Sequence, residues 1–290
     1  MPDDRQVVAA RLDRTAAGAV CSTPDNLRKR VGARVEDKKI ENMRATQTGS
    51  RFSWQRAQLI DRRTSKRYAR VLLRGLGLPS DVAVGQFVLV RYSEDPCLPR
   101  AFSVMSGSDI GLELFIKTEG RVRVKFATAP MGTVFEVRGP YGTPYADKIS
   151  LDRKYVLVGG GSGAAPLLHF RKRYPDHVAG EVYGFRSEDA RDLLSEVELT
   201  AESTTGLRAH DQLQSIWRPE LGILACGPEP MLRLLAQHYS DQPDVYVSLE
   251  ARIGCGIGTC LGCSIQTTAG MQRICKEGPL FPIGELPWLA

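Results

Sequence analysis

The sequence predicts a β barrel followed by an α/β domain with a parallel sheet, closed by a small cysteine-bearing C-terminal segment. Three observations predict it. Apolar residues alternate with period two from Phe52, apolar strands alternate with helical patterns from Leu151, and four cysteines gather beyond residue 250. At 290 residues the chain has room for two domains of ordinary size and an appendage.

Residues 1–51 come first and mix charges with small residues without sustained periodicity, so a disordered extension is expected there. Its stretch LRKRVGARVEDKKIENM has at most the pattern of a short solvated helix, and Met43 is a candidate natural start, since recognisable pattern begins soon after it. The barrel is assigned to residues 52–148. There WQRAQLIDRR, RYARVLLRGL, QFVLVRYS, RAFSVMSG, LELFIKTEG and TVFEVRGPYG are short alternating runs broken by Gly, Pro and Asp. The α/β domain is assigned to residues 149–249, where KYVLVGGG, EVYGFRS and LGILACGP read as buried strands. Each precedes a helical pattern: APLLHFRKRY, EDARDLLSEV and EPMLRLLAQHY. Residues 250–290 form the cysteine segment, and no internal repeat is visible.

Charge and hydropathy exclude several function classes. The net charge of +6 divides into +4 on residues 1–51 and +2 on the rest, so the folded body carries no basic stripe for nucleic acid. The longest weakly polar run, Tyr155 to Leu168, is 14 residues and glycine-rich, too short for a bilayer. The start MPDDRQVV has no secretory pattern, and a cytoplasmic protein without a membrane partner is expected. Of the seven cysteines, Cys21, Cys97 and Cys226 are scattered, while Cys255, Cys260, Cys263 and Cys275 are clustered. Clustering of this kind points to metal in a reducing compartment rather than to a disulfide framework.

Four stretches carry chemistry. In VLVGGGSGAAP a strand ends in Gly159, Gly160 and Gly161, Gly163 follows, and Pro166 stands where a last glycine would complete G-x-G-x-x-G. Such a turn lets backbone N–H groups and a helix N-terminus approach a phosphate, or it is a tight structural βα turn. CGPEPM places Cys226, Gly227 and Pro228 at the end of a further strand, where crevices of parallel sheets lie. In PRAFS, Arg100 and Ser103 flank an aromatic, which offers a cation, a hydroxyl and an apolar plane. The cysteines form C-x4-C-x2-C-x11-C, whose first three positions have plant-type ferredoxin spacing. Structural zinc also accepts four cysteines, though usually from two separated C-x2-C knuckles rather than one.

Taken in order, PRAFS, GGGSGAAP with CGPEPM, and EARIGCGIGTCLGCSIQT with RICKEGP resemble the ferredoxin-NADP reductase superfamily. Within it they are most similar to the electron-transfer subunits of class 1B dihydroorotate dehydrogenases, over about residues 53–285. GPYGTPY is similar to a turn of that subfamily. The resemblance implies an FAD-binding barrel, an NAD-binding sheet and a [2Fe–2S] loop. It implies Arg100 at the FAD phosphates, Ser103 near the flavin ring, and Ala101 and Phe102 between them on the motif strand. Phe115, Ile116 and Lys117 fall on the next flavin-contacting strand. Gly120 matches a glycine normally followed by threonine, whereas Arg121 follows here and brings its own cation to the pyrophosphate region. Gly159, Gly160, Gly161 and Gly163, with Cys226, Gly227 and Pro228, would hold the dinucleotide, and the four clustered cysteines the metal.

The implied partner is an FMN-containing catalytic subunit of the dihydroorotate dehydrogenase type in a hetero-oligomer, acting in pyrimidine biosynthesis. A nicotinamide moves two electrons together and a [2Fe–2S] cluster one, so a flavin between them acts as a transformer. The expected function is thus electron transfer from that partner to NAD. No catalytic acid–base residue is expected, because His169, His177, His210 and His238 sit outside any nucleophile or ligand pattern. The nucleotide stays open between NAD and NADP: Arg186 and Ser187 suit a 2′-phosphate, while Glu188 and Asp189 repel one, which favours NAD. Two other readings remain open. One is an NAD(P)H-dependent ferredoxin or sulfide-type reductase subunit serving another partner, and the other a zinc-stabilised module without redox turnover.

Overall fold

The protein was analysed as a computed structural model, which describes residues 52–92, 99–186, 188–201 and 207–289. The expectations for residues 1–51, together with Cys21, Met43, Cys97 and Ser187, lie outside the described residues.

Six antiparallel strands close into a barrel: β1 (Gln55–Thr64), β2 (Tyr68–Arg74), β3 (Phe87–Tyr92), β4 (Arg100–Ser108), β5 (Gly111–Lys117) and β6 (Val134–Tyr141). Their order is β1-β2-β5-β4-β3-β6, with β1 also paired to β6. Alternation explains the closure. Leu59, Val71, Leu73, Val88, Val90, Leu112 and Leu114 are each 1% exposed or less and fill the interior, while their neighbours face outward. Helix α1 (Arg121–Thr128) plugs one end, where Phe126 stacks on Phe135 at 4.3 Å between ring centroids and meets the edge of Phe102 at 5.3 Å.

The second domain is a six-stranded sheet of order β14-β11-β10-β7-β8-β9. Strands β7 (Tyr155–Gly160) and β10 (Gly222–Cys226) are buried along their whole length, as expected of parallel strands covered on both faces. Strands β8 (Val178–Phe185), β9 (Thr200–Ala201) and β11 (Val245–Ser248) complete the parallel set, with α2 (Ala164–Arg173), α3 (Leu207–Ile216) and α4 (Glu229–Tyr239) among the connections. The fold class is the one the sequence predicts. Three local features differ. RVRVKFAT forms α1 and LRAHDQLQSI forms α3, neither of which the sequence reading assigned, and Glu188–Leu193 winds as a 3₁₀ helix rather than an α-helix. Among the described residues no helix is long and apolar enough to cross a membrane.

Barrel and sheet are clamped together. Arg70 on β2 donates to Glu113 on β5 at 2.6 Å, to Glu196 at 2.6 Å and to the Leu193 carbonyl at 2.9 Å. On another side of the junction, Lys172 of α2 donates to the Ser106 hydroxyl at 2.7 Å. Arg70 is held fully charged, because its two carboxylate partners outweigh the burial that opposes its charge.

The cysteine segment is stitched into both domains. The short hairpin β12 (Ser264–Thr267) and β13 (Gly270–Arg273) leads to β14 (Leu280–Pro282), which pairs antiparallel with β11 at the sheet edge. From the barrel side, the Thr143 backbone N–H donates to the Gly278 carbonyl at 2.7 Å and its hydroxyl to the Lys276 carbonyl at 2.7 Å.

Candidate functional site

The turn after β7 is the first part of the site. Gly161 has φ 56°, a left-handed conformation that L side chains rarely adopt, and it starts the 3₁₀ turn Gly161–Gly163 that feeds α2. Gly160, Gly161 and Pro228 line a cleft of about 310 Å³, together with Tyr68, Arg186 and Met231. Gly159, Gly163 and Gly227 lie behind that surface. A Cβ on Gly159 would strike the Tyr183 ring, one on Gly163 would be driven into the Cys226 carbonyl, and one on Gly227 would meet Met231 and Gly160. These three glycines let the turn, β10 and α4 approach closely, while Gly160 and Gly161 present backbone to the cleft.

A second cleft of about 330 Å³ opens against the barrel, and Ala101, Phe102, Ser103, Phe115, Ile116 and Lys117 line it. Phe102, Phe115 and Ile116 supply an apolar wall, while Lys117, Arg123 and Arg252 supply cations. Tyr68 stacks on Phe115 at 5.2 Å and 12° and so braces the wall from the first cleft's side. Lys117, Arg123, Ser162 and Glu250 belong to both clefts, which makes them one continuous crevice between barrel and sheet. An apolar slot with cations at one side and a glycine cradle at the other suits a flat ring system and a phosphate-bearing dinucleotide.

Arg100, Gly120 and Cys226, like Gly159, Gly163 and Gly227, do not line either cleft. Arg100 is exposed at the start of β4, with its guanidinium on the Pro99 carbonyl at 3.3 Å. Gly120 is the N-cap of α1, at φ 91° with open space where a Cβ would stand. Arg121 opens that helix. Cys226 is 2% exposed inside the core behind the crevice, and burial pushes its thiol well up, with the charge of Glu250 adding to the shift.

Sequence reasoning missed Glu250, Arg123, Ser162 and Tyr68. Glu250 lies two residues past the end of β11, on the way into the cysteine loop, and its carboxyl is raised above the ordinary range by desolvation within the crevice, against the opposing pull of Arg123, a hydrogen bond from Ser162 and Lys117. The signal available was its position in EARIGCG, directly ahead of the first clustered cysteine.

The cysteine loop follows the crevice wall without a gap. Leu249, Glu250, Ala251, Arg252 and Ile253 line the second cleft, and Cys255 comes two positions later. All five described cysteines are free: Cys263, Cys275 and Cys226 are buried, Cys255 is half-buried and Cys260 exposed. Within the segment, Cys275 contacts Cys263, and Cys255 contacts Cys260. The Cys275 backbone N–H donates to the Cys263 sulfur at 3.5 Å. Burial pushes the Cys275 thiol up to about 12, and the hydrogen bond and charge of Cys263 add to this. Cys255 is the opposite case. Burial opposes its thiolate, yet the backbone N–H groups of Cys260 and Ile257 and the side chains of Thr259 and Cys260 bring it down to about 6.

Among the described residues no group of three or more His, Cys, Asp or Glu is arranged to hold a metal ion. Four thiolates suit either a tetrahedral zinc site or a two-iron cluster, and the three closely spaced cysteines with a distant fourth have the spacing of the latter. A backbone folded for close approach supports the loop. Gly256 sits at φ 78° against the Tyr141 ring, and Leu261, at φ 56°, is the only non-glycine residue with positive φ among the described residues. Arg273 ties to Glu277 and to the Gly258 carbonyl, and Arg138 donates to the Cys255 carbonyl at 3.0 Å.

Comparison with known proteins agrees with this geometry. Residues 250–287 match the family described as the iron–sulfur cluster binding domain of dihydroorotate dehydrogenase B. The "dihydroorotate dehydrogenase B (NAD(+)), electron transfer subunit" of Caldanaerobacter subterraneus subsp. tengcongensis is 30% identical over 212 residues, covering 68% of this chain and 84% of its own. The protein of the same name from Geobacillus kaustophilus is 31% identical over 226 residues, covering 70% and 86%. Among solved structures, the NADH-dependent reduced ferredoxin-NADP oxidoreductase superposes with a TM-score of 0.69 at 22% identity, covering 80% of this chain and 90% of that one, which is a likeness of fold.

Proposed function

The chain belongs to the family of dihydroorotate dehydrogenase B electron transfer subunits, and from that premise we propose that it passes electrons between a catalytic partner subunit and NAD through a [2Fe–2S] cluster and FAD. The partner is an FMN-containing subunit that oxidises dihydroorotate in pyrimidine biosynthesis, and the pair works as a hetero-oligomer in the cytoplasm. One observation carries the reading. The segment that walls the barrel cleft, Leu249 to Ile253, leads directly into the cysteine loop, and the two residues from Ile253 to Cys255 span at most about 7 Å.

The chain's own residues have distinct tasks in this reading. Gly160, Gly161 and Pro228 shape the cradle for the dinucleotide, and Arg186 lines the same cleft. Phe102 and Phe115 give an apolar wall, Ser103 a hydroxyl, and Lys117 and Arg123 positive charge for a phosphate-bearing flavin. Cys255, Cys260, Cys263 and Cys275 hold the cluster. Bound flavin trades electrons in pairs with nicotinamide and singly with an iron–sulfur centre. No side chain is assigned a proton-transfer role. The protein holds the distances, excludes water from the apolar wall and presents the exposed Cys260 edge outward.

The test is an absorption and EPR spectrum of the purified protein with flavin, iron and sulfide analysis. Cys260→Ser is expected to remove the cluster signal and transfer to the partner while NADH still reduces the flavin. A colourless protein that contains zinc and no flavin would overturn the reading. NADH is expected to outpace NADPH as reductant, and a strong preference for NADPH would reassign Arg186 to a 2′-phosphate.

A further inference from the structure

Arg138 lies on β6, where the barrel backs onto the cysteine loop. Its Nη2 donates to the Cys255 carbonyl at 3.0 Å, joining residues 117 positions apart. Its guanidinium carbon stands 4.6 Å from the centroid of the Trp54 ring and 5.9 Å from that of Tyr141, so two aromatic faces hold it in place. Arg91 covers the same Trp54 ring at 4.3 Å, but its charge is met by Glu136 at 2.6 Å. Arg138 has no such partner. Among the described residues no carboxylate pairs with it, and its Nε–H is buried without an acceptor.

A half-buried, uncompensated cation with an orphaned N–H is costly unless an anion meets it. The neighbouring loop supplies one in the loaded protein. Two ferric ions, two sulfides and four thiolates leave a dianion, and reduction adds one more negative charge. A fixed cation beside that charge favours the reduced state, and aromatic cover keeps water from screening it. We infer that Arg138 is a positioning residue that raises the reduction potential of the cluster, and that Trp54 sustains its effect by shielding it. The inference rests on the iron–sulfur reading above.

The experiment is a redox titration of the purified full-length protein followed by EPR, with the flavin potentials read in the same samples as an internal reference. Arg138→Gln is expected to shift the ratio of reduced to oxidised cluster at fixed potential about tenfold toward oxidised, which is 59 mV for one electron. Arg138→Lys keeps the charge and is expected to stay within about threefold of the parent. Trp54→Leu keeps Arg138 but opens it to water, so its shift is smaller than that of the Gln variant and grows with salt. A full cluster at parental potential in Arg138→Gln overturns the inference, as does Lys behaving like Gln. If the Gln variant loses its cluster, Trp54→Leu decides: an unmoved, salt-independent potential overturns the inference. Absence of iron and sulfide from the parent protein overturns the underlying reading and this assignment with it, whereas a cluster present with an unmoved potential removes the assignment alone.

Discussion

Two thiols on neighbouring parts of the molecule sit in opposite environments. Cys226 ends β10 with its sulfur sealed in the core, and desolvation pushes its thiol up. Cys255 lies in a loop where burial acts in the same direction, yet backbone N–H groups of Cys260 and Ile257 overcome it and bring the thiol down to about 6. The difference teaches that burial does not decide the chemistry of a cysteine here. The orientation of backbone donors does, and the loop obtains those donors from a turn that only its glycine-rich sequence allows. Cys226 is a packing residue at the edge of a crevice, while Cys255 sits where its thiolate is favoured, as the ligand role proposed for it requires.

The largest expected effect comes from deleting the second thiol. Cys255→Ser should abolish cluster iron and reduce electron delivery to an external acceptor by more than about 100-fold, with thermal unfolding within about 1 kcal/mol of the parent apoprotein. Metal analysis and melting curves check this together, and equal loss of fold and cluster would break the contrast between the two thiols. Next is Gly163→Ala, which drives a Cβ into the Cys226 carbonyl. A loss of about 3 kcal/mol in denaturant titration is expected, along with alkylation of Cys226 in the native state, where the parent resists it.

A third prediction applies the burial argument to a base. His169 on α2 is 6% exposed, and its imidazole is lowered to about 4 by burial first, then by Lys172 and Arg173, against a hydrogen bond to Val104 and the charge of Asp81. The fold therefore holds it neutral, while the unfolded chain binds a proton near pH 6.5. Its contribution is complete above pH 6.5 and is lost as pH falls toward 4, by up to about 3 kcal/mol. His169→Gln should flatten that acid limb in pH-dependent melting, and an unchanged limb would refute the assignment. The smallest effect is that of Cys226→Ala, about 1 kcal/mol by chemical denaturation if the thiol only fills space.

Much of this was legible because the decisive patterns are local. Strands such as YVLVGG and GILAC announce themselves as continuous apolar runs, and the cysteine loop gathers its thiols within one short segment. Helix α1 was not legible, since Arg121, Val122, Arg123 and Val124 alternate as a strand would, and only the cap at Gly120 and the burial of Phe126 turn the segment helical. The crevice was legible in part. Phe115 and Gly161 stand in recognisable stretches, but Tyr68, Arg123, Ser162 and Glu250 meet only when barrel and sheet are clamped by Arg70 and Lys172. No window of sequence contains that meeting.

Strand β14 has a consequence for synthesis. Leu280–Pro282 is the last of the sheet's strands to leave the ribosome, and until it does, β11 offers a bare row of backbone donors and acceptors on that side. The cysteine loop precedes β14 in the chain, so it must already be threaded past the barrel when the edge is sealed. Messages cut short after Cys275 would thus yield chains with a sticky sheet, prone to capture by chaperones or proteases before any metal is delivered.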